Sequence, residues 1–446
     1  MAERATVDVA IVGGGPAGQA AALQLAAAGI AATVIDEQPR AGGQILRQPP
    51  SAVAVRDWLA GRSYRALKAQ LAAFEDCNAV TWRGGTSVIG LSMNEDGAGL
   101  TLADGSGVER LHARHVLVAA GCHDLAVPMP GWTLPGVQPA GAVQAMLKSQ
   151  QMLPEGATLF AGTHPLQLIV AAQLVRAGAT VAGVHFAQPL RRFATWLSPA
   201  AAIARSADLA DALAALATLR RARVPVRFGS AISAIEGAMR VERAIVDGVP
   251  IACDQVALCY GFVPQSALPR MAGATMRAAG PAGGFATVAD DWMASSVPGL
   301  WVAGETTGVQ GAPAAACEGA IAGIGIAQTM RAFDLREAER RAAPFRAAYV
   351  QHRTFAAVLD RIADPRDHFP PIAPDTIVCR CEAVPRAALA GGSANAVKLA
   401  SRCGMGLCQG RNCEPTLLRL LGAPDGPGFT ARFPARPVAL GMLAGD

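Results

Sequence analysis

The sequence predicts an α/β chain: two dinucleotide-binding folds in series and a small C-terminal iron–sulfur domain. Three observations carry this. A strand, a G-x-G-x-x-G loop and an Ala-rich helix open the chain at residues 7–28. The same strand–loop–helix–strand order returns from residue 157 with its glycines altered. Near the end, Cys379 and Cys381 (C-x-C) and, after a spacer of 26 residues, Cys408 and Cys413 (C-x4-C) form two close pairs. The expected division is 1–150 for the first part of an FAD-binding domain and 151–285 for a degenerate second nucleotide-binding domain. Residues 286–330 return to the FAD domain, 331–374 form a helical linker and 375–446 an iron–sulfur domain with a [2Fe–2S] or [4Fe–4S] site.

Residues Val7–Val12 read as a buried strand, followed by Gly13-Gly14-Gly15-Pro16-Ala17-Gly18. Gly13 permits the tight turn, Gly15 lets backbone approach a pyrophosphate, and Gly18 lets helix pack on strand. Pro16 and Ala17 start the helix, whose free N–H groups and positive dipole end face the phosphates. Gly29 ends the helix. The next strand, Ala32–Ile35, ends at Asp36-Glu37, about 18 positions beyond the loop, where an acid accepts hydrogen bonds from ribose hydroxyls.

Later segments point to FAD. Val116–Gly121 is a buried strand ending in the small residues Ala120 and Gly121, where backbone passes close to a cofactor. Gly299–Glu305 is a short strand running into Gly304 and a second acid, suited to a ribityl chain. Gly311-Ala312-Pro313-Ala314 then opens another Ala-rich helix, whose N-terminus suits a flavin ring.

The second fold lacks what NAD(P)H needs. Its loop reads Gly162-Thr163-His164-Pro165-Leu166-Gln167, with His164 and Gln167 in place of the second and third glycines. A Cβ at the second position blocks close pyrophosphate approach. The strand ending at Phe186 carries no acid for a 2′-hydroxyl. NAD(P)H is therefore not expected as hydride donor here; His164 is either a contact for another ligand or a loop histidine without a role. No close cysteine pair lies in either nucleotide domain. Cys253 and Cys259 flank a strand and read as structural, so disulfide exchange is disfavoured.

Residues 331–362 are charged and helical in pattern, and the proline-rich stretch Ala363–Pro374 ends that helix. Beyond it, the soft thiolates of Cys379, Cys381, Cys408 and Cys413 match an iron–sulfur centre. Zinc is the alternative, although C-x-C is tight for a tetrahedral knuckle. Glycines around Cys408 allow N–H groups to face cluster sulfurs. Cys403, five positions before Cys408, is a further candidate, so the ligand set is not unique. The four-cysteine assignment follows a resemblance to bacterioferritin-associated-ferredoxin-like [2Fe–2S] domains.

Composition narrows the class. Apolar residues make up 52% and charged residues 16%, enough for large cores. The net charge of +5 and 5% aromatics give no nucleic-acid patch. No signal peptide or membrane span is readable, and ten cysteines in 446 residues do not make a secreted disulfide framework. A reducing cytoplasm is expected, and attachment at the inner membrane face remains compatible.

These segments resemble the two-dinucleotide-fold flavoproteins of the pyridine nucleotide–disulfide reductase class. That resemblance implies that Asp36 holds the adenosine ribose, that Glu305 stands for the usual Asp at the ribityl chain, and that Gly43, Gln44 and Ala314 lie near the isoalloxazine. More narrowly, the chain resembles the FAD- and [2Fe–2S]-containing alpha subunits of heteromeric bacterial amine dehydrogenases, the opine oxidase, D-hydroxyproline dehydrogenase and hydrogen cyanide synthase type. Asp36–Arg40 with Gly42-Gly43-Gln44, Pro130–Val137, Gly261–Pro264 and Gly404–Arg411 carry it. Cys122, His123, Cys403 and the loop at His164 depart from the pattern. The resemblance implies a subunit that moves electrons and has no acid–base catalytic residue of its own. A partner flavoprotein would oxidise the C–N bond of an amino or imino acid of D-hydroxyproline, proline or opine type. A further flavin at a subunit interface and a small ferredoxin-like subunit belong to the same picture, with a quinone or similar acceptor. The alternatives are an NAD(P)H-dependent FAD/iron–sulfur reductase and a non-catalytic scaffold.

Overall fold

The computed structural model describes residues 5–53, 55, 59, 61, 63–197 and 206–444. Its first strand, Ala5–Val12, begins with the exposed Thr6 and Asp8 and ends in the apolar run Val9–Val12, which is covered on both faces; Val9, Ala10 and Ile11 are fully buried. It lies between two parallel neighbours, Ala32–Asp36 and Gly107–Val118. Val80–Gly84 extends the parallel sheet on one side, and Leu300–Val302 pairs with the end of Gly107–Val118 on the other. The early half of Gly107–Val118 pairs instead with Gly97–Asp104, which pairs with Ser87–Asn94, both antiparallel. Gly97–Asp104 alternates buried and half-buried residues, as expected of a strand with one face less covered.

Two Ala/Gly-rich helices, Pro16–Ala27 and Ala312–Thr329, cover one face of this sheet. They meet almost backbone to backbone: a Cβ on Gly319 would collide with the Ala17 carbonyl. That contact locks the late helix onto the early glycine loop, although some 300 residues separate them in sequence.

The second domain is a parallel sheet in the order Val226–Phe228, Thr180–Phe186, Ala157–Gly162, Gln255–Cys259, Val137–Pro139. Helices Leu166–Arg176 and Ser206–Arg221 pack on it around Phe160, Leu168 and Phe186. An antiparallel sheet of Ile232–Glu236, Arg243–Val246 and Val249–Ala252 encloses a second core with Trp132 and Tyr260. Val137–Pro139 belongs to the parallel sheet although it precedes residue 151 in sequence. The chain passes between the domains through Cys122–Asp124 and Phe262–Pro264, which pair antiparallel.

The 29-residue helix Leu335–Ala363 starts at Asp334, whose side chain accepts from Glu337 N at 2.8 Å. Its far end reaches the second domain. The proline-rich stretch after it holds only a single 3-10 turn, Arg366–His368. The last domain is a hairpin (Ile377–Cys379 with Val384–Pro385) and two short helices, Ala394–Ser401 and Glu414–Leu420. Its core joins Val378, Val397, Leu417 and Phe429 to Cys379, Cys403 and Cys413. Trp132 Nε1 donates to Ile377 O at 2.7 Å, and Arg270 forms a two-pronged ion pair with Glu414. The tail then returns to the first domain, where Arg436 pairs with Glu37. Among the described residues no helix is long and apolar enough to cross a membrane.

Candidate functional site

The parallel strands of the first domain all deliver their carboxyl ends to one edge, where such sheets bind ligands. Gly13 (φ 111°) crosses there against Ala119, and a Cβ on it would collide with the Ala119 carbonyl. A Cβ on Gly18 would collide with the Gly13 carbonyl. Gly15 precedes the helix that begins at Pro16 and Ala17, and an added Cβ there would lie 3.6 Å from Gly43 Cα. Gly304 faces Ala17 and Ala315. Ala120 follows the same strand end, and Gly121 O accepts from Gln265 N at 2.9 Å. Ala314 is buried in the first turn of the helix behind Gly311. Gly13, Gly15, Gly18, Gly43 and Gly304 thus lie against one another or against the strand end at Ala119 and the helix starts at Ala17 and Ala315.

The two acids at this edge are anchored by backbone. The Asp36 carboxylate accepts from Gly14 N and Gln38 N, both at 2.7 Å, with Arg47 and Arg436 nearby. Burial raises its pKa, and the two backbone donors oppose the rise. Glu305 accepts from Gln310 N at 3.1 Å and Gly311 N at 2.8 Å, and so shapes the helix entrance. Next to it, Thr306 Oγ1 and Gln310 Oε1 are buried without a protein partner among the described residues. Glycine loop, helix N-terminus, two acids and these unpaired polar atoms fit a dinucleotide with a polyhydroxyl chain.

Burial pushes Glu305 up to about 7. An acid raised in the folded state stabilises fully below its unfolded value of 4.5, and that contribution is lost as pH rises through about 7. The flavin-free Glu305→Gln chain should therefore gain Tm relative to the parent between these two pH values. A difference in Tm that stays constant across the window would show Glu305 ionised throughout.

Lys148 was not legible as a site residue. It is 3% exposed, and its Nζ donates to Gln144 Oε1 at 2.8 Å, to Ile45 O at 3.1 Å and to Gln44 O at 3.4 Å. Burial lowers it to about 7. The ammonium holds the Gly43–Gln44 turn in place. Its rarity was the available signal, since Lys68, Lys148 and Lys398 are the only lysines among 39 basic residues.

The altered loop of the second domain is tied to the end of the long helix. Thr163 Oγ1 donates to Ala363 O at 2.7 Å, and Gln188 Nε2 donates to Ile362 O at 2.9 Å. The last carbonyls of the long helix thus stand against the loop, beside a cavity of about 200 Å³ that His164 also lines. His164 is half-buried, accepts from Leu166 N at 3.2 Å and packs edge-on to Phe262. Burial lowers it to about 4, so it stays neutral.

In the last domain the Sγ atoms of Cys379, Cys403 and Cys413 lie within 4.8 Å of one another, all buried. Cys381 is exposed and Cys408 half-buried, and these two thiols hydrogen-bond to each other. The four sequence-singled cysteines therefore split into an inner and an outer pair, and Cys403 joins the inner one. Hydrogen bonds from Cys403 and Cys413 hold Cys379 far below the usual thiol range, while Cys403 is held up at about 12. Gly404 N also donates to Cys379 Sγ at 3.4 Å. Thiols in pairs with N–H groups aimed at sulfur are a donor set for iron or zinc.

One strand joins the two regions. Cys122 lies within electrostatic reach of Glu305, and burial raises its pKa. The adjoining His123 places Nε2 3.2 Å from Arg411 O, on the loop between Cys408 and Cys413. Burial lowers His123 to about 4, and only the neutral tautomer with a proton on Nε2 can donate to that carbonyl.

Comparison with known proteins agrees with this layout. Residues 7–319 match the family described as pyridine nucleotide-disulphide oxidoreductase. The chain is 35% identical to the A subunit of opine oxidase from Rhizobium meliloti, over 98% of each chain. It is 33% identical to the HcnB subunit of hydrogen cyanide synthase from Pseudomonas aeruginosa, over 96% of each. Among solved structures, L-proline dehydrogenase from P. horikoshii superimposes with a TM-score of 0.70 at 19% identity, covering 99% of this chain and 80% of that one. Thioredoxin reductase from T. acidophilum gives 0.54 at 19% identity, covering 74% and 99%.

Proposed function

The chain belongs to the pyridine nucleotide–disulphide oxidoreductase family and is an oxidoreductase subunit of the type shared by HcnB and its opine oxidase counterpart; from that premise we propose that it is the electron-transferring flavoprotein and iron–sulfur subunit of a heteromeric amino- or imino-acid dehydrogenase. The end-to-end similarity to named subunits of opine oxidase and hydrogen cyanide synthase carries this reading. Membership implies FAD. On this reading Gly13, Gly15, Pro16, Ala17 and Gly18 hold its pyrophosphate and Asp36 its adenosine ribose, with Glu37 beside it. Ala120, Gly121, Gly304 and Glu305 follow the ribityl chain, while Gly43, Gln44, Gly311 and Ala314 border the ring. Cys379, Cys381, Cys408 and Cys413 hold a [2Fe–2S] cluster. When bound, these groups supply two-electron and one-electron redox chemistry respectively.

A partner flavoprotein oxidises the substrate C–N bond, of proline, D-hydroxyproline or opine type, and this chain passes the electrons to a quinone or other acceptor. An interfacial flavin and a small ferredoxin-like subunit complete the proposed assembly, placed in the cytoplasm or on the inner membrane face. The chain positions its cofactors: backbone N–H groups face phosphate, and Lys148 fixes the Gly43–Gln44 turn. The loop that carries His164 and Gln167 in place of glycines, with the helix end bonded to Thr163, supports a partner, rather than NAD(P)H, as the electron source.

Anaerobic stopped-flow separates these sources. The purified chain mixed with NADH or NADPH should keep its flavin oxidised, whereas the co-purified complex mixed with its amino acid should bleach it. Millisecond bleaching of the isolated chain by NADH would overturn the reading in favour of a self-contained reductase. A complex in which neither flavin nor cluster is reduced by substrate would point to a scaffold.

A further inference from the structure

Five thiols converge in the last domain, and a [2Fe–2S] cluster uses four, two on each iron. The structure divides the five unequally. Cys381 is exposed, with the half-buried Cys408 beside it. Cys379, Cys403 and Cys413 sit together inside, 1%, 0% and 2% exposed, with all three Sγ atoms within 4.8 Å. The C-x-C pair is thus split, one cysteine to each group.

Resting on the iron–sulfur reading above, we propose that the outer iron is held by Cys381 and Cys408, and that the inner iron is held by Cys379 together with either Cys403 or Cys413. Cys403 is not an ordinary packed thiol. Arg402 before it adopts a left-handed conformation (φ 66°), and Ser401 Oγ accepts from Cys403 N at 3.2 Å. This turn aims its side chain at Cys379 rather than letting the helix Ala394–Ser401 continue. Gly404 follows with φ 85°, packed under the Phe429 ring, so the turn is held from both sides. Cys413 reaches the same point from the start of the helix Glu414–Leu420. Two chain segments therefore present a thiol to one iron position, and the thiol that binds releases its proton to solvent. A reserve ligand lets the cluster survive the loss of one inner thiol, for example by oxidation.

The test uses the full-length chain, isolated without oxygen, as Cys403→Ser, Cys413→Ser and the double variant. Iron and acid-labile sulfide per chain are measured, with the EPR spectrum of the reduced protein and the bound flavin as a fold control. Each single variant should keep about two irons and two sulfides, with the EPR signal altered in at least Cys413→Ser; the double variant should lose both and keep its flavin. Either single variant as empty as the double overturns the proposal, and so does a double variant that keeps its cluster. If the double variant also loses flavin, Cys403→Val with Cys413→Ser keeps the core apolar and is read in the same way. A parent chain without iron and sulfide would sink the iron–sulfur reading itself, whereas a loaded parent with an empty Cys413→Ser chain would sink only the interchangeable ligand.

Discussion

A Gly18→Val chain is expected to fold and to emerge without flavin. The position is set by close approach: any Cβ there collides with the Gly13 carbonyl, and Ile11 Cγ2 stands 3.2 Å away. Relief requires the helix Pro16–Ala27 to move off the strand Ala5–Val12. That helix cannot move alone, because Gly319 and Gly323 lock it against Ala312–Thr329. The strain therefore falls on the loop Gly13–Gly18, whose N–H groups are placed for pyrophosphate. Overpacking of this kind costs about 1–3 kcal/mol, and each ~1.4 kcal/mol is tenfold in affinity. FAD affinity should fall about 10- to 100-fold or more, read as flavin lost on gel filtration and as the Kd for added FAD. Iron content should be unchanged, because the cysteine domain has its own core. A Gly18→Val chain that retains stoichiometric FAD would remove the pyrophosphate role assigned to this loop.

The nucleotide edge was legible because its signals are local. Strand, glycine loop, helix and acid lie within residues 7–37, and their spacing fixes a βαβ unit. The defect of the second loop was legible for the same reason, from His164 and Gln167. What the loop is bonded to was not: Ala363 lies 200 residues beyond Thr163 in sequence, and a helix end has no pattern that names its distant neighbour. The cysteine pairs stood out by type and spacing, but their grouping depends on the turn at Arg402, which brings Cys403 beside Cys379. Spacing alone favoured Cys381 as the partner of Cys379, whereas the hairpin sends those two side chains to different depths. Lys148 gave only the signal of its rarity and the Arg270–Glu414 pair none, since a buried charge resembles a surface charge until its surroundings are known.

Arg270→Met is expected to release the cysteine domain from the rest of the molecule. Arg270 is 18% exposed and Glu414 9%, and their two hydrogen bonds measure 2.9 and 3.1 Å. Arg270 also donates to Phe429 O and stacks over Phe285, 4.5 Å from the ring centre. Glu414 accepts in addition from Phe429 N at 2.5 Å and directly follows Cys413. Removing the guanidinium leaves a buried carboxylate with one backbone donor, and breaking such a pair costs about 3–5 kcal/mol. The domain's other polar anchors, among them Trp132 to Ile377, His123 to Arg411, Thr416 to Ala126 and Arg436 to Glu37, each supply a single contact. The open population should therefore rise by two to three orders of magnitude, read as faster proteolysis in the proline-rich stretch 364–374 and as slower flavin-to-cluster electron transfer. Arg270→Met with Glu414→Gln removes the orphaned charge and should recover much of the docking, because a neutral amide is far cheaper to bury than a lone carboxylate. If Arg270→Met resists protease as the parent does, the docking energy resides in the other contacts, those of Trp132, His123, Thr416 and Arg436. If the double variant is cut as fast as the single, the pair contributes geometry, through Phe429 and the helix that begins at Glu414, rather than charge neutralisation.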